Sequence, residues 1–222
     1  NASKIANSAE GGQKDEAPEL YVGETLGTGN GLEIDIAVDP LECTDSVATG
    51  SPNAISVIST GPKGSLFHAP DMYMEKIACG PQAKGVIDLD LTPTENIIRV
   101  AKKLEKDVTQ MVVIMLDRPR HADLVEEIRT VGARIRFISD GDVAGAIAPS
   151  LPDSGVDMLI NIGASAEAVL AATAIKCLGG DFQARLWPKN VDQKNMLEDM
   201  GLDINKKLTN RLTRNNRFYR LH

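Results

Sequence analysis

A chain of 222 residues with 42% hydrophobic residues is long enough for one large or two modest domains and apolar enough for a packed core. Its 31 acidic side chains against 24 Lys and Arg leave a formal charge of −7, which argues against a general nucleic-acid binder and requires any anionic substrate to be met by local positive charge or by bound metal. Three cysteines, Cys43, Cys79 and Cys177, are odd in number and lack zinc spacing, so neither a disulfide framework nor a cysteine metal site is indicated, and a reducing cytoplasm fits best. The most apolar helical stretch, Ala164 to Leu178, contains Glu167 and Lys176 and is too short to span a bilayer. No basic segment followed by an apolar one opens the chain, so neither secretion nor membrane insertion is expected.

In chain order, Asn1 to Lys14 is small and polar without periodicity and reads as a frayed start. From Tyr21 onward short apolar runs alternate with Gly- and Pro-rich turns. Glu33 to Val38 and Ala54 to Thr60 read as strands, the second closed by Gly61-Pro62-Lys63-Gly64. Asp35 to Asp39 alternate with a period of two, and Pro40 is expected to end that strand because proline cannot donate to a ladder. Asp39, Glu42 and Thr44 then fall within one turn, where close carboxylates repel unless a metal or proton lies between them. A solvated acidic turn is the alternative reading of those spacings.

The pattern changes at Thr92-Pro93-Thr94-Glu95, with Thr92 as cap, Pro93 at the first helical position and Glu95 three residues after the cap, so a helix is expected to about Leu104. Met111 to Leu116 reads as a buried strand, Ala122 to Val131 as a helix stopped by Gly132, and Ala133 to Ile138 as the next strand. Asp142 to Ala148 forms a short helix, Asp157 to Ile162 a strand, and Ser165 to Leu178 a longer helix. The expected fold class is therefore α/β, with a β-rich part over 1–91 and a mostly parallel α/β part over 92–222. In such sheets ligands gather at the carboxyl ends of strands, which selects the loops carrying Arg118 and Arg120, Asp140 and Asp142, and Glu167. From about 205 the chain becomes basic, with Lys206, Lys207, Arg211, Arg214, Arg217 and Arg220 and no acid. A truncated or unnatural end is the expected reading of this tail, and nucleic-acid binding is the alternative.

Asp39-Pro40-Leu41-Glu42-Cys43-Thr44 resembles the Asp-Pro-x-(Asp/Glu)-Gly-Thr metal motif of the lithium-sensitive phosphatase superfamily, which includes fructose bisphosphatases and inositol monophosphatases. Further elements resemble the class II (GlpX-type) fructose-1,6-bisphosphatase family: Asp15 to Pro18, Asp71 to Lys76, Pro119 to His121, Asp140 to Asp142, and the turn from Gly163 to Glu167. The resemblance runs from about Asp15 to Thr209. It implies a layered sugar-phosphatase fold and metal-dependent hydrolysis of the 1-phosphate of fructose 1,6-bisphosphate, with sedoheptulose 1,7-bisphosphate as a second substrate. It also implies roles for single residues. Asp39, Glu42 and Glu167 would hold Mn²⁺ or Mg²⁺, hard ions that choose carboxylate oxygens. Thr44 would orient the attacking water beside Asp39, with Glu42 and Thr44 also facing substrate. Arg118 and Arg120 would hold the phosphate that is not cleaved, and Tyr73, Asp140 and Asp142 would contact the sugar. His121 reads as structural. The expected partners are a sugar bisphosphate and further copies of the same chain, with neither nucleic acid nor membrane.

The chain also departs from the family. Gly11 stands where a Glu ligand belongs and Gln13 where a second acid belongs, with Glu10 one residue off register. Cys43 replaces the motif's Gly in a turn that tolerates no side chain easily, Ala166 replaces a Pro, and Ala164 replaces a Gly. The chain opens at Asn1, and the family carries further sequence at both ends, so a fragment is expected. A catalytically impaired fragment or relic that binds sugar phosphates without turnover is the competing reading.

Overall fold

The computed structural model describes the backbone course of residues 4–6 and, in full, residues 23–210. The expectations placed on Glu10 to Pro18 and on the basic tail beyond Asn210 lie outside the described residues. Two sheets are present among the described residues. The smaller has the order β1-β2-β3, from β1 (Lys4–Ala6), β2 (Glu33–Glu42) and β3 (Ile55–Pro62), with β2 and β3 antiparallel. The larger is built from β4 (Tyr73–Cys79), β5 (Val112–Leu116), β6 (Arg134–Ile138), β7 (Met158–Ala164), β8 (Asp181–Trp187) and β9 (Leu208–Thr209) in the order β6-β5-β7-β4-β8-β9.

The sheet is parallel through β6, β5 and β7, whereas β4 runs antiparallel to both β7 and β8. Strands β5 to β8 therefore point one way and bring their carboxyl ends to one edge, where β4 begins. That edge positions the site. β4 lies on the N-terminal side of the division expected at 91/92, yet all of its pairing is with the second sheet. Neither β4 nor β8 was foreseen. β4 carries Glu75 and Lys76 inside an apolar run, which breaks the hydrophobic signal, while β8 alternates buried and partly buried residues along its length, a readable period of two.

Among the described residues six α-helices connect these strands: α1 (Thr44–Thr49), α2 (Pro93–Lys103), α3 (Ala122–Val131), α4 (Asp142–Ile147), α5 (Ser165–Cys177) and α6 (Val191–Asp199). The start of α2 follows the expected capping box: the Thr92 side chain accepts from Glu95 N at 3.2 Å, and Glu95 Oε2 accepts from Thr92 N at 2.8 Å. Gly132 ends α3 in the left-handed region at φ 96. α2 and α3 cover one face of the large sheet through Ile97, Val100 and Ile128 against Val113 and Met158. α4 and α5 cover the other through Ala146, Ala168, Ala171 and Ile175 against Leu159 and Phe182.

α5 is apolar around most of its circumference because it is buried from two sides. Val169 and Leu170 pack with Ala37 of β2, joining the small sheet to the helical layer. The result is an α/β fold in layers, helix on sheet on helix on sheet. Among the described residues no helix is long and apolar enough to cross a membrane.

Candidate active site

β2 does not stop at Pro40. It continues to Glu42 through a register break between Asp39, opposite Val57, and Glu42, opposite Ile55. Proline is tolerated there because a bulge asks no ladder hydrogen bond of it. Asp39 Oδ1 accepts from Leu41 N at 3.0 Å and Ser56 Oγ donates to Pro40 O at 2.6 Å, so the irregularity is closed by local bonds. The bulge turns Glu42 inward to 4% exposure, where its Oε1 accepts from Val143 N at 3.1 Å. Cys43 follows at φ 74 and ψ 52, a left-handed conformation that favours Gly, and Thr44 opens α1 from an exposed position.

Three further carboxylates converge on Glu42. Asp142 begins α4 and Glu167 lies in the first turn of α5, where helix N-termini favour negative charge. Burial pushes the Glu42 carboxyl up to about 8, and Asp142, Glu167 and a side-chain hydrogen bond with Asp39 add to the rise. Acids from β2, α4 and α5 thus share one electrostatic neighbourhood. The β4 side of Asp142 is closed by Lys76, whose Nζ donates to Oδ2 at 2.7 Å with side-chain exposures of 0% and 4%. Asn161 Nδ2 donates to the same oxygen at 3.1 Å, while Oδ1 is buried without a hydrogen-bond partner. Gly163 of β7 is obligatory beside this pair: a Cβ there would fall 1.8 Å from Asp142 Oδ2 and 3.1 Å from Lys76 Nζ.

The chemistry of the donors, though not their placement, suits a hard divalent cation. The set consists of carboxylate oxygens, one of them buried and unbonded, around an acid whose charge the surroundings resist. As placed, no three His, Cys, Asp or Glu side chains among the described residues form a closed cage. Asp142 Oδ2 is turned to Lys76 and Glu42 Oε1 to Val143, so the acids converge without enclosing a common point.

The cationic side of the site follows β5. Arg118 Nη2 lies 3.7 Å from Asp45 Oδ2 of α1, linking the two sheets' loops. Arg120 donates through Nε and Nη2 to Ile162 O at 2.9 and 2.7 Å, and its guanidinium carbon stands 4.4 Å from the centroid of the Tyr73 ring. Asp140 accepts from Asp45 N at 3.1 Å and from Gly141 N at 3.0 Å, bracing the same loop. Asp140 is half-buried, whereas Asp142, expected beside it on the sugar, is committed through Oδ2 to Lys76. His121 is fully buried and bridges strand ends, with Nδ1 at 2.7 Å from Leu116 O and Nε2 accepting from Ile162 N at 2.9 Å. Lys76 and Asn161 were not singled out in the sequence. The signal available for both was a polar residue inside an otherwise apolar strand.

The family model described as bacterial fructose-1,6-bisphosphatase, glpX-encoded, matches residues 5–219. The fructose-1,6-bisphosphatase class 2 of Haemophilus influenzae is 46% identical over 195 residues, 88% of this chain and 59% of that protein. The D-fructose 1,6-bisphosphatase class 2/sedoheptulose 1,7-bisphosphatase of Synechococcus elongatus is 44% identical over 187 residues, 79% of this chain and 54% of that protein. The chain spans about half the length of these curated relatives. Matched over nearly its full length, and carrying the acid cluster and paired arginines at one sheet edge, the chain belongs to the GlpX family of bacterial fructose-1,6-bisphosphatases.

Proposed function

We propose that this chain carries the metal-dependent hydrolysis of the 1-phosphate of fructose 1,6-bisphosphate, giving fructose 6-phosphate and phosphate. The observation that carries the reading is the approach of Asp39, Asp142 and Glu167 to the buried Glu42, a crowding of acids that holds the Glu42 proton on and that a dication would relieve. Asp39, Glu42 and Glu167 would hold Mn²⁺ or Mg²⁺, which when bound would stabilise charge on the transferring phosphoryl group and acidify the attacking water. Thr44, at the mouth of the acidic turn, orients that water. Arg118 and Arg120 bind the phosphate that stays, since guanidinium groups match phosphate geometry. Tyr73, Asp140 and Asp142 border the sugar.

The relative whose name includes sedoheptulose 1,7-bisphosphatase supports a longer bisphosphate as an additional substrate. A cytoplasmic location and assembly with copies of itself complete the reading. Gly11 and Gln13, in place of two acids, favour a second reading in which sugar phosphates bind without turnover. Phosphate release from fructose 1,6-bisphosphate, measured with Mn²⁺, Mg²⁺ and chelator, separates the two. Metal-dependent release abolished by Asp39→Asn supports the hydrolase, whereas sugar-phosphate binding with no release by the unaltered chain supports the second reading.

A further inference from the structure

The carboxyl end of β8 reaches the same edge as those of β5 and β7, and its residues have no role in the site described above. Tyr73 pairs with Trp187 in the β4–β8 ladder, and their rings stack with centroids 6.3 Å apart and planes inclined by 27°. Two residues beyond Trp187, Lys189 places its Nζ 3.7 Å from the centroid of the Tyr73 ring, the ring that Arg120 also contacts at 4.4 Å. The Lys189 backbone is anchored: its N donates to Gln193 Oε1 at 2.8 Å, and Asn190 caps α6 by accepting from Gln193 N at 2.9 Å.

A cation over an aromatic face is ordinary, but here one ring carries two cations, and Arg118 lies close enough to Arg120 to repel its charge. Arg118 meets the exposed Asp45 only at 3.7 Å, and among the described residues neither Arg120 nor Lys189 takes part in an ion pair. Burial of Arg120 and its repulsion by Arg118 disfavour the guanidinium's charge, consistent with a cluster that an anion relieves. Tyr73, Asp142 beside Arg120 and the exposed Asp45 beside Arg118 offset these positive groups only in part, since the Arg120 charge is still disfavoured overall, and a phosphate dianion would complete the balance.

We infer that Lys189 is a further anion-binding residue, forming with Arg118 and Arg120 a three-cation clamp, laid on Tyr73 and Trp187, for the sugar-bisphosphate phosphate that is not cleaved. The inference rests on the proposed sugar-phosphate reading and assigns to it a strand end that the sequence did not mark. Trp187 fixes the Tyr73 ring, and the ring fixes the lateral position of both cations.

The test is calorimetric titration of the full chain in chelator, where turnover is silent, with fructose 6-phosphate and with fructose 1-phosphate, which lacks the distal group. Lys189→Met weakens fructose 6-phosphate by about tenfold or more, the scale of one charge-assisted hydrogen bond, and leaves fructose 1-phosphate within about twofold. Lys189→Arg, keeping the charge, stays within about threefold of the unaltered chain for both. An unchanged fructose 6-phosphate affinity in Lys189→Met overturns the clamp, as does an equal loss for both sugars, which marks a general field effect. A lower melting temperature with unchanged affinity assigns Lys189 to packing on Tyr73 and equally overturns it. If the unaltered chain binds neither sugar phosphate, the functional reading fails and takes the clamp with it, an outcome distinct from a failure of Lys189 alone.

Discussion

Replacing Lys76 with Met removes the cation from a pair whose side chains are 0% and 4% exposed and leaves the Asp142 carboxylate facing Glu42 with only Asn161 as donor. Breaking one side of a buried ion pair costs about 3 to 5 kcal/mol, because the remaining charge is desolvated and unmatched. With a urea slope of about 3 kcal/mol per M, the unfolding midpoint falls by about 1 to 1.7 M. The single tryptophan, Trp187, lies at the end of β8 in the same sheet, so its fluorescence reports the transition. Lys76→Met combined with Asp142→Asn removes both charges while keeping an amide for Asn161, and recovers at least half of the loss. Gly163→Ala attacks the pair from the third side, since its Cβ would fall 1.8 Å from Asp142 Oδ2. Its effect in the Lys76→Met background is smaller than in the unaltered chain, as expected for groups that share one contact. A midpoint shift under about 0.3 M for Lys76→Met, or a double variant no better than the single, leaves the pair without the energetic role given to it.

Three other expectations concern the same region. Glu42 titrates near 8 in the folded chain against 4.5 ordinarily, so its contribution is complete below 4.5 and is lost as pH rises through 8. In metal-free protein, Glu42→Gln therefore gains melting temperature relative to the unaltered chain between pH 6 and pH 9, and a difference that does not vary with pH contradicts the burial argument. His121 has its pKa lowered, chiefly by burial, and in its neutral form donates through Nδ1 while accepting through Nε2. Its contribution is intact above the usual 6.5 and is lost as pH falls below that value, so His121→Gln flattens the acid limb of the stability profile, measured by urea unfolding from pH 7 to pH 5. Gly141→Ala places a Cβ at φ 86 and 2.6 Å from Cys43 Sγ, costing about 2 to 4 kcal/mol by strain and overlap together. In the Cys43→Gly background the overlap is gone and about 1 kcal/mol of strain is left, so strictly additive effects in a double-mutant cycle count against the contact.

Much of the fold was legible because it is written in neighbouring residues. The capping box at Thr92 and Glu95, the stop at Gly132 and the helix from Ala122 to Val131 need only a few consecutive side chains to form, and each occurs as expected. Pro40 misled for the same reason: taken locally it ends a strand, but β3 lies alongside and accommodates it in a bulge. β4 escaped notice because Lys76 looks like a surface residue until Asp142, 66 residues later, is brought against it.

From its residues alone the chain declared its α/β class, its acidic turn at Asp39 to Thr44 and the arginines after β5, since periodicity, turn chemistry and motif spacing are properties of short segments. The tertiary structure decided that Glu42 is buried on Val143, 101 residues away, that Asp142 belongs to Lys76, and that β8 delivers Lys189 to the ring of Tyr73. Burial and charge pairing depend on which distant backbone segments the sheet order makes adjacent, and no local pattern carries that information.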